Sequence, residues 1–148
     1  PGKVKPSSVS EIGSTLDLFT TVSNLIGIEI PIDRRIDGLD LSPVLFDGGK
    51  SPRDHLIYYR NTEVYAVRKG SHKLHYITRP ANGKPEQKIT LEQPLLFDLN
   101  VDPEEKYNLA PRYPDVVEEI NQLVREHQST VESVKDQLAD RIKNESPK

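Results

Sequence analysis

Four histidines, His55, His72, His75 and His127, are the first candidates for proton transfer or metal ligation. His72 and His75 stand in the run Arg68-Lys69-Gly70-Ser71-His72-Lys73-Leu74-His75-Tyr76, where basic groups crowd together. On a strand, side chains alternate between faces, so Lys73 and His75 share one face and His72 and Leu74 the other. The basic groups therefore cannot all converge on one anion, and histidines three apart on a strand make a poor zinc pair. Asp98-x-Asn100-x-Asp102 matches the first half of a calcium-binding EF-hand loop. The sixth loop position needs a left-handed glycine but is Pro103, and the twelfth needs Glu but is Leu109. The stretch reads instead as a turn at a strand end. Arg53 and Arg68 are expected to bridge acidic groups, since a guanidinium holds a carboxylate bidentately. Asn144-Glu145-Ser146 is an N-glycosylation sequon.

Period and punctuation show the elements that must position these groups. After a Pro/Ser-rich connector over residues 1–10, Leu18, Phe19, Val22, Leu25 and Ile26 recur at helical spacing. The helix is expected to have Asp17 as N-cap and Gly27 just past its end, with one face buried. A turn-rich crossing spans residues 31–52, with a helical turn expected over Leu41–Leu45. Then the period drops to two. His55–Tyr59, Val64–Arg68 and Lys73–Ile77 are short runs rich in β-branched and aromatic residues, separated by hairpin-sized breaks, which predicts antiparallel strands. Residues 79–93 read as an exposed loop and Leu95–Leu99 as a fourth strand. Asp102-Pro103-Glu104-Glu105 has the signs of a brief helical turn.

A terminal helix is expected from Pro114, with Asp115, Glu118 and Glu119 favoured by the helix dipole, to about Arg141. Such a helix would be roughly 40 Å long. Ile120, His127 and Val134 are seven apart, as are Val124, Val131 and Leu138, which outlines a coiled-coil-like seam. Val124, His127, Val131, Val134 and Leu138 are thus candidates for pairing with a second copy. The competing expectation is a helix folded on its own sheet or ending near Ser129.

Bulk properties narrow the function classes. The 148 residues are 34% hydrophobic and 29% charged with 12 prolines, which predicts a modest core and many loops. A net charge of −3, with no basic stripe, argues against nucleic acid as a partner. No apolar run approaches the ~18 residues of a membrane span. Without cysteine there are no disulfides and no thiolate zinc sites. No internal repeat is visible.

One ordered set of motifs goes further. It comprises Asp37-Gly38-Leu39-Asp40-Leu41-Ser42-Pro43, Arg53, Tyr58-Tyr59, and Ala66-Val67-Arg68-Lys69-Gly70-Ser71-His72-Lys73-Leu74-His75-Tyr76. Leu95-Leu96-Phe97-Asp98-Leu99, Asp102-Pro103-Glu104-Glu105 and Asn108-Leu109 complete it. Together these resemble the C-terminal region of type I sulfatases, in the branch of arylsulfatase A and galactosamine-6-sulfatase. Pro1-Gly2-Lys3-Val4 resembles the W-P-G turn of those enzymes, and Ser14-Thr15-Leu16-Asp17-Leu18-Phe19 their S-x-x-D-L helix start. The resemblance covers residues 1 to about 126.

It implies an α+β fold: the tail of an α/β core over residues 1–50, then a four-stranded antiparallel sheet packed by a long C-terminal helix over residues 51–148. It also implies a parent enzyme that hydrolyses sulfate esters with a formylglycine nucleophile and calcium, in a lysosomal or secreted location, or in the periplasm of a bacterium. The chain has no C/S-x-P-x-R motif; Ser51-Pro52-Arg53 lacks the residue between Ser and Pro. It therefore reads as a fragment without the catalytic centre or bound cofactor, inactive alone, whose partner is the sulfatase core. His75 is the residue that the resemblance places near substrate. The alternatives are a phosphonate or phosphate ester hydrolase of the same superfamily, and a stand-alone oligomerisation module.

Overall fold

A computed structural model of the protein describes residues 3–4, 6–80, 84 and 87–132. Its elements, in order, are α1 (Asp17–Leu25), α2 (Ser42–Asp47), β1 (His55–Arg60), β2 (Glu63–Lys69), β3 (His72–Thr78), β4 (Ile89–Asp98) and α3 (Pro114–Thr130). The four strands form one antiparallel sheet in the order β1-β2-β3-β4, as the hairpin-sized breaks require. Gly70 turns β2 into β3 with φ +55°, a backbone conformation that costs glycine little.

The register explains the core. Ile57, Val67, Leu74 and Leu96 are matched across all four strands. With Val64 they make an apolar patch on one face, and α3 covers it with Ile120 and Val124. Val67, Leu74, Leu96 and Ile120 are wholly buried. Tyr76 adds a polar tie, its hydroxyl 2.8 Å from Oδ1 of Asn121 on α3. The opposite face carries Leu56, Arg68, Lys73 and Phe97 in one row and Tyr58, Ala66, His75 and Leu95 in the next. The expected split of Lys73 and His75 from His72 and Leu74 is therefore the observed one.

Five sequence expectations need correction. Residues 89–93, read as loop, belong to β4, which is ten residues long. Pro94 made that strand hard to see, but β4 lies at the sheet edge, where a missing N–H is tolerated. The strand also bulges there: Thr90 to Leu95 runs opposite only Ile77 to His75. Asp102–Glu105 is a turn and not a helical turn, because Glu105 takes φ +57°. Asp17 is the first residue of α1 and not its N-cap. Its carboxylate reaches back to accept the Ser14 N–H at 2.8 Å, and Ser14 Oγ accepts the Leu16 N–H. Arg68 binds carbonyls and not an acidic group. Finally, α3 stops at Thr130, where Val131 turns extended, so a continuous helix to about Arg141 is not met and the competing expectation, a helix on its own sheet ending near Ser129, is; residues 133–148 lie outside the described ones. At 17 residues α3 is roughly 25 Å long.

The first helix is inside out relative to an ordinary surface helix. Its buried residues are Asp17, Thr20, Thr21 and Ser23, whereas Leu18, Phe19, Val22 and Leu25 are more than half exposed. The apolar periodicity was legible, and the face it marks looks outward here. Gly27 comes next with φ +72°, the left-handed residue expected at that end.

Candidate functional site

Two polar clusters stand out, one around α1 and Arg53 and one on the sheet face away from α3. The first begins with the buried face of α1. The crossing from Asp37 to Leu41 lies against it through hydrogen bonds. Thr20 Oγ1 donates to the Gly38 carbonyl (3.0 Å), the Leu39 N–H donates to Asp17 Oδ1 (2.8 Å), and the Leu41 N–H donates to Thr21 Oγ1 (2.9 Å). Gly38 is required here by space. A Cβ at that position would collide with the Leu16 carbonyl oxygen and lie 2.8 Å from Thr20 Oγ1.

Arg53, just before β1, completes the cluster. Its Nε lies 3.0 and 3.2 Å from the two Asp17 oxygens, its Nη2 also donates to Asp17 Oδ1, and the same Nη2 donates to the Asp37 carbonyl at 2.8 Å. The Asp17 side chain is 0% exposed and that of Arg53 11%. Burial pushes the Asp17 carboxyl up, but hydrogen bonds from Arg53, Leu39 and Ser14 together with the guanidinium charge hold it below the usual range. The hydrogen bonds to Asp17 hold Arg53 all the more firmly protonated. The expectation that Arg53 bridges an acidic group is met by Asp17.

The second cluster lies on the sheet face away from α3. Lys73 Nζ is 2.6 Å from Glu105 Oε1 and 5.3 Å from the centre of the Tyr58 ring. His75 Nε2 is 2.9 Å from Glu105 Oε2 but off the line that a hydrogen bond needs, which leaves it without a hydrogen-bond partner. The His75 ring meets Phe97 edge-on, with centroids 5.8 Å apart. Burial pushes the His75 imidazole below its ordinary value; Glu105 pulls it up and Lys73 pushes it down. The ring lies on the sheet against Glu105 of the 102–108 turn. Asp102 fixes that turn by accepting the Tyr107 N–H at 2.8 Å, and Asp98 opens it by accepting the Asn100 N–H at 3.0 Å. The carboxylates that resembled a calcium loop are thus spent on backbone. Glu105 was not foreseen, because only its left-handed backbone brings its carboxylate over β3.

Two open grooves flank the first cluster. One, of about 560 Å3, is lined by Ser10, Glu11, Lys50, Arg68, Lys69 and His72 among others. Its Arg68 and Lys69 are engaged. Arg68 donates to the carbonyls of Ser10 (2.6 Å) and Gly70 (3.0 Å), and Lys69 pairs with Glu119. The other, of about 660 Å3, is lined by Arg35, Arg53, His55, Tyr59, His127 and Val131 among others.

Of the candidate pairing residues, Val124 is buried in the chain's own core. His127 lies 5.8 Å from Tyr59, ring centre to ring centre. Val131 is 47% exposed. Val134, Leu138 and Asn144 lie outside the described residues. Among the described residues, no three His, Cys, Asp or Glu side chains are grouped to hold a metal ion.

Residues 51–148 match the family described as the C-terminal region of aryl-sulfatase. The chain belongs to that family. It is 38% identical to arylsulfatase A of Bos taurus over 141 residues, covering 85% of this chain and 28% of the relative. It is 37% identical to the Homo sapiens arylsulfatase A, covering 83% and 28%. The Mus musculus N-acetylgalactosamine-6-sulfatase is 34% identical over 154 residues, 88% of this chain and 29% of that one. The chain therefore spans less than a third of the length of these relatives. A solved protein from work on glycosaminoglycan metabolism in Bacteroides thetaiotaomicron superposes with a TM-score of 0.66 at 27% identity, over 87% of this chain and 28% of its own. A sulfatase from Pseudoalteromonas sp. shares the fold, with a TM-score of 0.63 at 23% identity over 77% of this chain and 25% of its own. The four-stranded antiparallel sheet with its helix is thus the fold of a sulfatase C-terminal region.

Proposed function

We propose that this chain is the C-terminal part of a formylglycine-dependent sulfatase, and that the whole enzyme hydrolyses sulfate esters of aryl, glycolipid or glycan alcohols. The observation that carries the reading is the family match over residues 51–148, joined to 34–38% identity with arylsulfatase A and N-acetylgalactosamine-6-sulfatase. Residues 1–50 would be the tail of the α/β core and residues 51–148 the C-terminal subdomain. When present in the parent, formylglycine supplies the nucleophile and calcium neutralises sulfate oxygens. This chain's own contribution is structural: packing against the core, one wall of the cleft, and His75 near the substrate. For His75 to reach a substrate, Glu105 must move aside. The outward apolar face of α1 supports a partner surface on the core, since contiguous exposed apolar surface marks an interaction site. Pairing with a second copy through the terminal seam would fall to Val131 and the residues C-terminal to it, because Val124 faces the chain's own core. The family also suggests a lysosomal or secreted enzyme, or a periplasmic one in a bacterium.

The test compares the purified chain with the full-length parent on a chromogenic aryl sulfate, with and without calcium. The parent is expected to turn over and the chain to be silent. Turnover by the chain that survives separation from host enzymes would overturn the reading. A parent that cleaves phosphonate esters but not sulfate esters would replace it by the phosphonate hydrolase alternative.

A further inference from the structure

We propose that Asp17 and Arg53 form a joint that fixes the orientation of the sheet against the segment before it, which makes both of them positioning residues. The functional consequence, a cleft wall held at a set angle, rests on the sulfatase reading; the joint itself does not.

Three observations carry the inference. The apolar core is self-contained: its buried members are Val64, Val67, Leu74, Leu96, Ile120 and Val124, and the partly buried side chains against it begin at Ile57. Nothing from α1 takes part. Second, α1 turns its apolar stripe outward and its polar stripe inward, so apolar packing does not hold it to the sheet. Ile12 is the buried apolar side chain of the segment before α1. Third, side-chain hydrogen bonds link the two parts. Ser51 Oγ donates to the Ile12 carbonyl (2.6 Å), the Ser51 N–H to Glu11 (2.8 Å), and Arg68 to the Ser10 carbonyl (2.6 Å). Those three attach to the connector before α1. Arg53 with Asp17 alone ties α1 itself, and it is the buried ion pair of the set.

Geometry decides why this pair sets an angle and is more than a tether. A planar guanidinium engaging both oxygens of a carboxylate constrains distance and direction together. Asp17 is anchored within its own part, and Arg53 makes a second bond into that same part. Asp17 accepts the Ser14 and Leu39 N–H groups, and Arg53 reaches the Asp37 carbonyl. Removing one partner leaves the other charge buried and uncompensated, so the pair should open and not simply weaken.

The chain has no cysteine, so two can be introduced cleanly for spin labels, at Leu25 on α1 and Gln128 on α3, both exposed. The distance distribution between labels is measured in the whole 148-residue chain. One narrow distribution is expected with the joint intact. Asp17→Asn and Arg53→Ala should each broaden it about twofold or more, while the sheet stays folded. Arg53→Lys, which keeps the charge but loses the fork, should give an intermediate width. Unchanged width in both Asp17→Asn and Arg53→Ala overturns the proposal. Loss of the sheet in both variants overturns it equally, since the pair would then hold up the fold and not the angle. The readout does not involve sulfate ester cleavage, so an inactive parent would leave it intact.

Discussion

Asp17 takes donors from two backbone N–H groups and a guanidinium, so its charge is stabilised only in the folded chain. Its carboxyl is depressed below the ordinary 3.8. The stabilisation is therefore fully present above that ordinary value and is lost as pH falls through the lower, folded one. Melting temperatures of the wild type and Asp17→Asn should differ most from about pH 5 upward and converge in acid. A gap that widens in acid, below the ordinary carboxyl value, would contradict the assignment. Gly38 makes a second test at this scale. Gly38→Ala forces a methyl into the Leu16 carbonyl and should cost about 1–3 kcal/mol in denaturant unfolding. A neutral Gly38→Ala would mean that the crossing does not lie on α1 as described.

At the scale of elements, burial predicts which positions are expensive. Leu74 is wholly buried between the sheet and α3, and Leu74→Ala should cost about 2–5 kcal/mol. Leu18 is 59% exposed on α1, and Leu18→Ala in this chain should stay within about 0.5 kcal/mol. Urea unfolding of the two variants side by side checks both. Equal costs would mean that α1 buries its apolar stripe after all. The tie between β3 and α3 has its own signature. Burial pushes the Tyr76 phenol up to about 12, with Arg125 lowering it and Glu118 raising it. Its neutral form is favoured in the fold, so this contribution is present below the ordinary tyrosine value of 10.0 and lost as pH rises towards 12. Ultraviolet titration should show a late ionisation step, and Tyr76→Phe should remove it. All 6 tyrosines ionising together would refute the buried position.

Across the whole molecule, the outward stripe of Leu18, Phe19, Val22 and Ile26 makes the chain look like one side of a larger interface. The isolated chain should bind an apolar fluorescent dye more strongly than an ordinary monomer of its size. Phe19→Asp should reduce that binding without changing the melting of the sheet, whose core lies elsewhere. Dye binding at the level of a closed monomer would show that the stripe is covered within the chain.

Local signals in the sequence determined a good deal. Period-two runs and short breaks fixed three strands and their antiparallel order, because hairpin connections leave little choice of neighbour. Gly27 and Pro114 marked a helix end and a helix start through their own backbone limits. The ordered motifs by themselves point to the sulfatase C-terminal family. What needed tertiary structure were relations between distant residues. Asp17 looked like a local cap, and only the fold brings Arg53, 36 residues away, onto it. Glu105 reaches Lys73 and His75 because one residue turns left-handed, which side-chain type alone does not reveal. The first half of β4 was hidden by Pro94, since edge position and pairing with β3 override local propensity. Periodicity found the apolar stripe of α1, but which way it faces depends on what lies against the helix, and here the polar crossing lies there.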